Sequence, residues 1–252
     1  MSAVRICITS PQPGNDRLAA MLKNVGLDVW QMPVLEYAPP HDDYAALDHA
    51  INELSVYRYV VFTSPHAVTV FSDRLAAHGD APIAHLQFAV VGEATAKLCA
   101  EMGFSVHHIP TKSTSQALGD LLRTQVPSGS KVLFPQVEAG RPEFVEAMAH
   151  SDANVTIVAA YSTQPTSLDV GYWKRQLNGS EWQGLVVTSP RGLRTFLDVF
   201  GHAWCHEVME VRPLFVMGAT TAQSADYLGF RHIQIPEHST LESLSRCISE
   251  YF

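Results

Sequence analysis

The sequence predicts an α/β protein of two doubly wound, parallel-sheet lobes that are joined by a two-stranded linker and related by internal duplication. Short β-branched runs alternate with helical patterns along the 252 residues, which is typical of parallel sheets with right-handed crossovers. The second half of the chain also repeats motifs of the first half. Two stretches, 33–40 and 160–165, are proline-rich or polar and lie at similar depths in the two halves, so they predict the linker.

The individual elements follow from local periodicity. Short apolar and β-branched runs predict strands at 4–9, 28–32, 58–63, 87–91, 105–109, 131–134, 154–159, 184–188, 213–217 and 232–235. Helical patterns are found at 16–25, 67–77, 94–102, 114–124, 142–149, 193–200, 221–228 and 241–251. Asp42-Asp43 before Tyr44 is typical of a further helix start.

Two motifs carry the internal repeat. Thr63-Ser64-Pro65 returns 125 residues later as Thr188-Ser189-Pro190. Gly92-Glu93-Ala94-Thr95 returns 126 residues later as Gly218-Ala219-Thr220-Thr221. Because the order and spacing are kept, duplication is favoured over chance similarity of two α/β segments.

All four of these turns lie where a predicted strand ends and a helix begins. Serine caps helix N-termini, and proline suits the first helical position. Glycine lets a ligand approach the backbone, and the free amides of a first helical turn attract anions. Each turn alone is better explained as an ordinary cap, since such turns are common in α/β proteins. Four turns in two matched pairs, all at the carboxyl ends of strands, favour a binding site for a polyanionic ligand.

Composition argues against several other function classes. The formal net charge of -8 argues against nucleic-acid binding, and no apolar run reaches the roughly 18 residues of a membrane span. The four cysteines are far apart and the N-terminus lacks signal-peptide order, so we expect a cytoplasmic protein with reduced thiols. No nucleotide-binding or dinucleotide-binding fingerprint is present, and we expect no cofactor and no metal. The segment His202-x-x-Cys205-His206 could present ligands on a helix, but solvated side chains are favoured.

The chain resembles the uroporphyrinogen-III synthase family along most of its length. The matching motifs are 61–68 with Phe71, 91–96, 131–133 with Gly140-Arg141, Ala160-Tyr161, 187–190 and 218–222. The resemblance implies two discontinuous lobes: lobe one at 1–35 and 167–252, lobe two at 40–160, and linkers at 36–39 and 161–166.

The resemblance also implies an activity. Such a protein is a lyase of tetrapyrrole (haem) biosynthesis that cyclises hydroxymethylbilane to uroporphyrinogen III, inverting ring D and losing water. It works as a monomer without a cofactor, and transient contact with the deaminase that supplies the substrate is expected. Its chief task is to fold a flexible octacarboxylate so that ring D presents its substituted carbon.

Site residues are carried over by position. Tyr161 matches the linker tyrosine and is the candidate acid for hydroxyl departure, although packing of the linker explains a tyrosine there equally well. Substrate-binding candidates from the motifs are Ser64, Thr95, Arg141, Ser189 and Thr221. Arg191 is added because it lies one residue past Pro190 in a turn expected to face the ligand.

Two positions depart from the family pattern. Ser10 and Gln136 stand where arginine is frequent, so two expected cations are absent. This leaves room for a non-catalytic tetrapyrrole- or anion-binding module of the same fold. An unrelated two-lobed solute receptor is a third reading, which the missing signal peptide disfavours.

Overall fold

The computed structural model describes residues 4–79, 82–179 and 181–252. The strands are β1 (Arg5–Ile8), β2 (Asp28–Gln31), β3 (Leu35–Ala38), β4 (Tyr59–Phe62), β5 (Gln87–Val90), β6 (Val106–His108), β7 (Lys131–Val137), β8 (Asn154–Pro165), β9 (Gly184–Val187), β10 (Leu214–Val216) and β11 (Ile233–Gln234). The α-helices are α1 (Gly14–Asn24), α2 (Ala45–Asn52), α3 (Pro65–Ala77), α4 (Glu93–Glu101), α5 (Ser115–Gln125), α6 (Glu143–Met148), α7 (Val170–Leu177), α8 (Pro190–Phe200), α9 (His202–Met209), α10 (Ala219–Tyr227) and α11 (Leu241–Tyr251). A short 3₁₀ helix covers Leu54–Val56.

The chain forms two compact units. Unit 1 comprises Met1–Tyr37 and Gln164–Phe252, and unit 2 comprises Ala38–Thr163. A five-stranded sheet has the order β11-β10-β9-β1-β2, and a six-stranded sheet has the order β3-β8-β7-β4-β5-β6. Pairs such as β1 with β9 and β4 with β5 are parallel. The predicted α/β class with parallel sheets is therefore confirmed.

The repeat is visible in the strand orders. Strands β1 and β2 come from the first half of the chain, yet they pair into a sheet with β9, β10 and β11 from the second half. Conversely, β7 and β8 complete the sheet of β4, β5 and β6. Under the sequence repeat, β11-β10-β9-β1-β2 corresponds strand for strand to β6-β5-β4-β7-β8. Each half therefore contributes to both sheets.

The segments predicted as linkers contain most of β3 and the end of β8, which are neighbours in the six-stranded sheet. The prolines of these segments do not prevent strand formation, because they lie at or outside the strand ends. Pro33, Pro39 and Pro40 flank β3 without interrupting it, and Pro165 is the last residue of β8. Proline is tolerated at such ends because no ladder hydrogen bond is lost inside the strand.

Both units have helices on their sheets and apolar residues beneath. All four residues of β4 and of β9 are buried, as expected for central strands covered on both faces. In unit 1, one cluster contains Trp182, Phe196 and Phe200. A separate cluster contains Ile6 and Phe215. A rigid core of this kind holds the strand ends, and the turns after them, in place.

Helices α7 and α9 were not predicted. Helix α7 has only 8 residues, and just one of them, Leu177, is buried, while Val170 and Trp173 on the same face are partly buried. A stripe of three residues gives a short periodic signal in the sequence. Helix α9 follows α8 after Gly201, whose φ of 87° ends one helix and starts the next. Helix α2 begins at Ala45, and the Asp42 carboxylate accepts a hydrogen bond from the amide of Ala46 at 2.9 Å.

An ion pair joins α2 to α3 and gives a pH-dependent contribution to stability. Arg74 donates from Nε to Asp48 Oδ1 at 2.7 Å and from Nη2 to Asp48 Oδ2, and His78 Nε2 lies 3.2 Å from the same carboxylate. The hydrogen bonds from Arg74 hold the pKa of Asp48 below its usual value. A lowered pKa means that the stabilisation is complete above the unfolded-state pKa of about 3.9 and is lost as the pH falls through the folded-state value.

We therefore expect Asp48→Asn to lower the free energy of unfolding by about 2 kcal/mol at neutral pH. The difference from the wild type should shrink below about pH 4. Urea unfolding at both pH values measures it, with Asp198→Asn, a 73% exposed aspartate, as the control. A cost that does not change with pH would show that the charge of Asp48 is not what stabilises the fold.

Candidate functional site

The turn after β4 brings together two predicted site residues. Ser64 is the N-cap of α3, and its Oγ accepts a hydrogen bond from the amide of Ala67 at 3.2 Å. The same Oγ lies 3.1 Å from the phenol oxygen of Tyr161, which is in β8. Residues 97 positions apart in the sequence are thereby held within hydrogen-bond distance in unit 2.

The phenol of Tyr161 is in a mostly dry environment. The residue is 7% exposed, and burial raises its pKa, with a smaller opposing effect of the hydrogen bond to Ser64. The phenol therefore carries its proton at neutral pH and can act as a hydrogen-bond donor. A protonated, buried hydroxyl with a fixed partner is the kind of group that can assist a leaving hydroxyl.

Unit 1 has a corresponding serine turn without a phenol. Ser189 caps α8 and accepts a hydrogen bond from the amide of Gly192 at 3.0 Å. In the repeat, Leu35 is the position equivalent to Tyr161. It lies beside this turn, because a Cβ at Gly192 would be 4.0 Å from a δ carbon of Leu35. The two serine turns therefore share the cap, but only the turn in unit 2 has an acidic hydroxyl at the repeat-equivalent position.

The two glycine turns are also matched. Gly92 and Gly218 precede α4 and α10, and neither helix has a side-chain cap. A Cβ on Gly92 would lie 2.7 Å from Ser113 Oγ, and a Cβ on Gly218 would lie 2.5 Å from Ser239 Oγ. A larger residue at either glycine would have to displace the serine hydroxyl that lies beside it. The uncapped first turns have amides that can bind an anion.

The threonines of these turns point inward. Thr95 is 2% exposed and Thr221 is 4% exposed, so their side chains offer little surface to a ligand. The exposed residues of the first turns are instead Glu93, Ala94, Ala219 and Thr220. Sequence reasoning missed Thr220, whose hydroxyl is the accessible one of the pair Thr220-Thr221. Only the helical register distinguishes the two, and the motif alone does not give it.

The two arginines lie on the surface. Arg141, in the loop after β7, has a 59% exposed side chain that pairs with Glu143 at 3.2 Å. Arg191 is exposed in the first turn of α8.

Ser10 and Gln136, the two residues that depart from the family pattern, each lie close to a neighbouring residue of the fold. Ser10 is 7% exposed, and its Oγ lies 2.9 Å from Thr188 Oγ1. Gln136 lies over the following loop, because a Cβ on Gly140 would be 2.3 Å from Gln136 Oε1.

The strand order clusters the site residues within each unit. In unit 2, Ser64, Thr95 and Arg141 follow β4, β5 and β7, and β4 is the neighbour of both other strands. In unit 1, Ser189 and Thr221 follow the adjacent strands β9 and β10. The carboxyl ends of adjacent parallel strands form the edge where ligands of such sheets bind.

Several other kinds of site lack support within the described ranges. These residues contain no group of three or more His, Cys, Asp or Glu side chains that could hold a metal ion. Cys205 of the candidate His202-x-x-Cys205-His206 set is not solvated, contrary to our expectation. It is fully buried, donates from Sγ to the Phe196 carbonyl at 3.7 Å, and burial raises its pKa to about 12.

None of the helices described combines the length and hydropathy that crossing a membrane requires.

Comparison with known proteins agrees with these features. A family profile described as uroporphyrinogen-III synthase HemD matches residues 16–246. A protein from Synechococcus elongatus named uroporphyrinogen-III synthase is 28% identical over 242 residues, covering 92% of this chain and 89% of that one.

Solved structures show the same fold. A mutant uroporphyrinogen III synthase from the extremely thermophilic bacterium Thermus thermophilus superposes with a TM-score of 0.64 at 17% identity, covering 98% of this chain and 100% of the other. A uroporphyrinogen-III synthetase from Helicobacter pylori 26695 gives a TM-score of 0.61 at 17% identity, covering both chains completely. With the family profile matching 16–246 of 252 residues, this chain belongs to the uroporphyrinogen-III synthase family.

Proposed function

We propose that this chain is a lyase that converts hydroxymethylbilane into uroporphyrinogen III, with inversion of ring D and loss of water. Membership of the uroporphyrinogen-III synthase family supports the reaction. The observation that carries the mechanism is the buried, protonated Tyr161 phenol held 3.1 Å from Ser64 Oγ. The alternative role as a binding module is supported only by Ser10 and Gln136, which stand where the family often has arginine.

The phenol supplies a proton at the first step. The hydroxyl of the terminal hydroxymethyl group departs as water when Tyr161 donates a hydrogen bond or a proton to it, leaving an azafulvene cation. Ring D attacks the cationic methylene carbon through its substituted α-carbon and forms the spiro intermediate. That intermediate opens by breaking the bond between the same α-carbon and the methylene bridge to ring C. The freed bridge carbon then bonds to the unsubstituted α-carbon of ring D, so the ring is inverted. The final closure releases one proton from the α-carbon of ring D, so one proton is taken up and one is returned, and water is the only by-product.

The turns hold the carboxylates. We infer that the uncapped first-turn amides at residues 93–94 and 219–220 bind acetate or propionate groups, since charge-assisted bonds to carboxylates are strong. Ser64 and Ser189 contribute at the paired turns, and exposed Arg141 and Arg191 contribute positive charge. The net charge of -8 opposes this only weakly, because charges more than about 8 Å apart are screened at physiological salt.

Units 1 and 2 are proposed to act as the two lobes of the enzyme. In this proposal lobe one is 1–35 with 167–252, lobe two is 40–160, and the linkers are 36–39 and 161–166. Because hydroxymethylbilane cyclises without help, we also propose that this cytoplasmic monomer receives it through transient contact with the deaminase that makes it. Cross-linking of the two enzymes during turnover would test the contact.

A coupled assay tests the reaction. The deaminase supplies hydroxymethylbilane, and the porphyrin isomers are separated after oxidation. We expect mostly isomer III with the wild-type chain. Isomer I alone, the product of spontaneous closure, would contradict the proposed activity and leave a binding protein.

We propose that the hydroxyls of Thr95 and Thr221, although little exposed, each donate a hydrogen bond to a substrate carboxylate at their turn. Replacing both with valine, which keeps the shape and removes the hydroxyl, should raise the Kd for product by about tenfold for each hydroxyl, or about 100-fold in the double variant, since each lost hydrogen bond to a charged group is worth about 1.5 kcal/mol. Titration calorimetry measures this. Thr195→Val is the matched control, because Thr195 is a helical threonine of unit 1 that is 8% exposed. An unchanged Kd in the double variant would show that these threonines only pack the turns.

A further inference from the structure

His66 contacts the ring of the candidate acid. It is the second residue of α3 and follows Ser64 and Pro65 directly. Its imidazole stands edge-on to the Tyr161 ring, with ring centroids 4.6 Å apart and an angle of 81° between the planes. Tyr161 is therefore contacted from one turn at two points, by Ser64 at its oxygen and by His66 at its ring.

Two contacts restrict the phenol more than one does. A hydrogen bond at the oxygen alone leaves the ring free to rotate about that end, whereas an edge-on neighbour limits the rotation. Edge-on aromatic contacts are also favourable in their own right. Because a small misplacement of a reacting group slows a reaction strongly, the second contact matters for a proton donor.

The environment favours an uncharged imidazole. Burial lowers the pKa of His66, and the carboxylate of Asp73 on the same helix opposes this to a smaller degree. The positive end of the α3 dipole also disfavours a charged imidazolium. A neutral ring can pack against a buried phenol without bringing an extra charge into the site.

The arrangement is not duplicated in the repeat. The position equivalent to His66 is Arg191, and the position equivalent to Tyr161 is Leu35. The proposed reaction removes a single hydroxyl, so a single phenol with its supporting ring is sufficient. The capping serines, in contrast, occur in both halves.

We propose that His66 is a positioning residue for Tyr161, whose imidazole fixes the orientation of the phenol in the dehydration step. This inference rests on the proposed function, in which that phenol assists the departure of the hydroxyl. His66 does not act on the substrate here. Its effect passes through the tyrosine ring.

Two substitutions test the proposal. His66→Ala should lower kcat by about threefold to tenfold, with KM within about twofold of the wild type. His66→Phe keeps an aromatic edge at the position and should restore most of the loss. The control is His108→Ala, because His108 is another half-buried histidine of unit 2 whose pKa is lowered mainly by burial. Wild-type kcat in His66→Ala would overturn the proposal. Equal impairment in the alanine and phenylalanine variants would overturn it too, because it would mean that a ring nitrogen is required.

A readout that does not depend on turnover separates this inference from the proposed function. With ring-labelled tyrosine, the NMR signal of Tyr161 is assigned by its disappearance in Tyr161→Phe. In His66→Ala that signal should shift, and the phenol should titrate closer to the ordinary pKa of about 10. His66→Phe and His108→Ala should retain the wild-type titration. An unchanged Tyr161 signal in His66→Ala would contradict positioning, even if the wild-type chain produced only isomer I.

Discussion

Tyr161→Phe should lower kcat by about 100-fold, at the lower end of what a general acid contributes. The substitution removes one oxygen and keeps the ring, so the edge-on contact with His66 remains. KM should change little, because the phenol acts on the departing hydroxyl and not on the carboxylates. The rate of isomer III formation in the coupled assay gives both constants.

The control for this variant is Tyr57→Phe. Tyr57 and Tyr161 are both 7% exposed and both lie in unit 2, so the two substitutions are made at equally buried tyrosines. The control should keep wild-type kcat. If Tyr161→Phe did so as well, the tyrosine would be a packing residue of the linker.

The second large effect concerns folding of fragments. Residues 38–163 should fold alone, because that segment contains β4 to β7 and nearly all of β8. The halves 1–125 and 126–252 should not fold alone, although each is a complete sequence repeat. Each half holds two strands of one sheet and three or more strands of the other, so each would leave two incomplete sheets with exposed apolar faces.

Circular dichroism and urea unfolding of the three fragments measure this. We expect one cooperative transition for 38–163 and none for either half. Mixing the two halves should restore cooperative unfolding, since together they supply every strand of both sheets. A cooperative transition in 1–125 alone would mean that the repeat folds by itself, contrary to the sheet order observed.

Most of the fold could be predicted from the sequence. The ten strand positions derived from β-branched runs all hold strands. The central ones, such as β4 and β9, stand out because central strands of parallel sheets are uniformly apolar. Strand β3 differs, since it lies between prolines and was visible only as a linker. Local sequence patterns also do not predict that each sheet contains strands from both halves of the chain. The spacing of the motifs shows that the sequence is duplicated. It does not show which strands pair with one another in the two sheets.

The site was predictable in part. The capping serines follow from the Ser-Pro turns, because the local sequence determines a helix start. The contact between Ser64 and Tyr161 joins two elements far apart in the chain, and only the resemblance suggested that both matter. Which threonine of Thr220-Thr221 is exposed depends on the helical register. The proposed role of His66 has no signal in the sequence, since a histidine after Ser-Pro is uninformative until its contact with Tyr161 is known.

The structure of the chain with product bound tests the central claim most directly, namely that the strand-end turns of both units bind the carboxylates. We predict carboxylate oxygens about 3 Å from the first-turn amides at 93–94 and 219–220. The Tyr161 phenol should face a macrocycle carbon formed in the reaction. Product held elsewhere, with those amides open to solvent, would contradict the account.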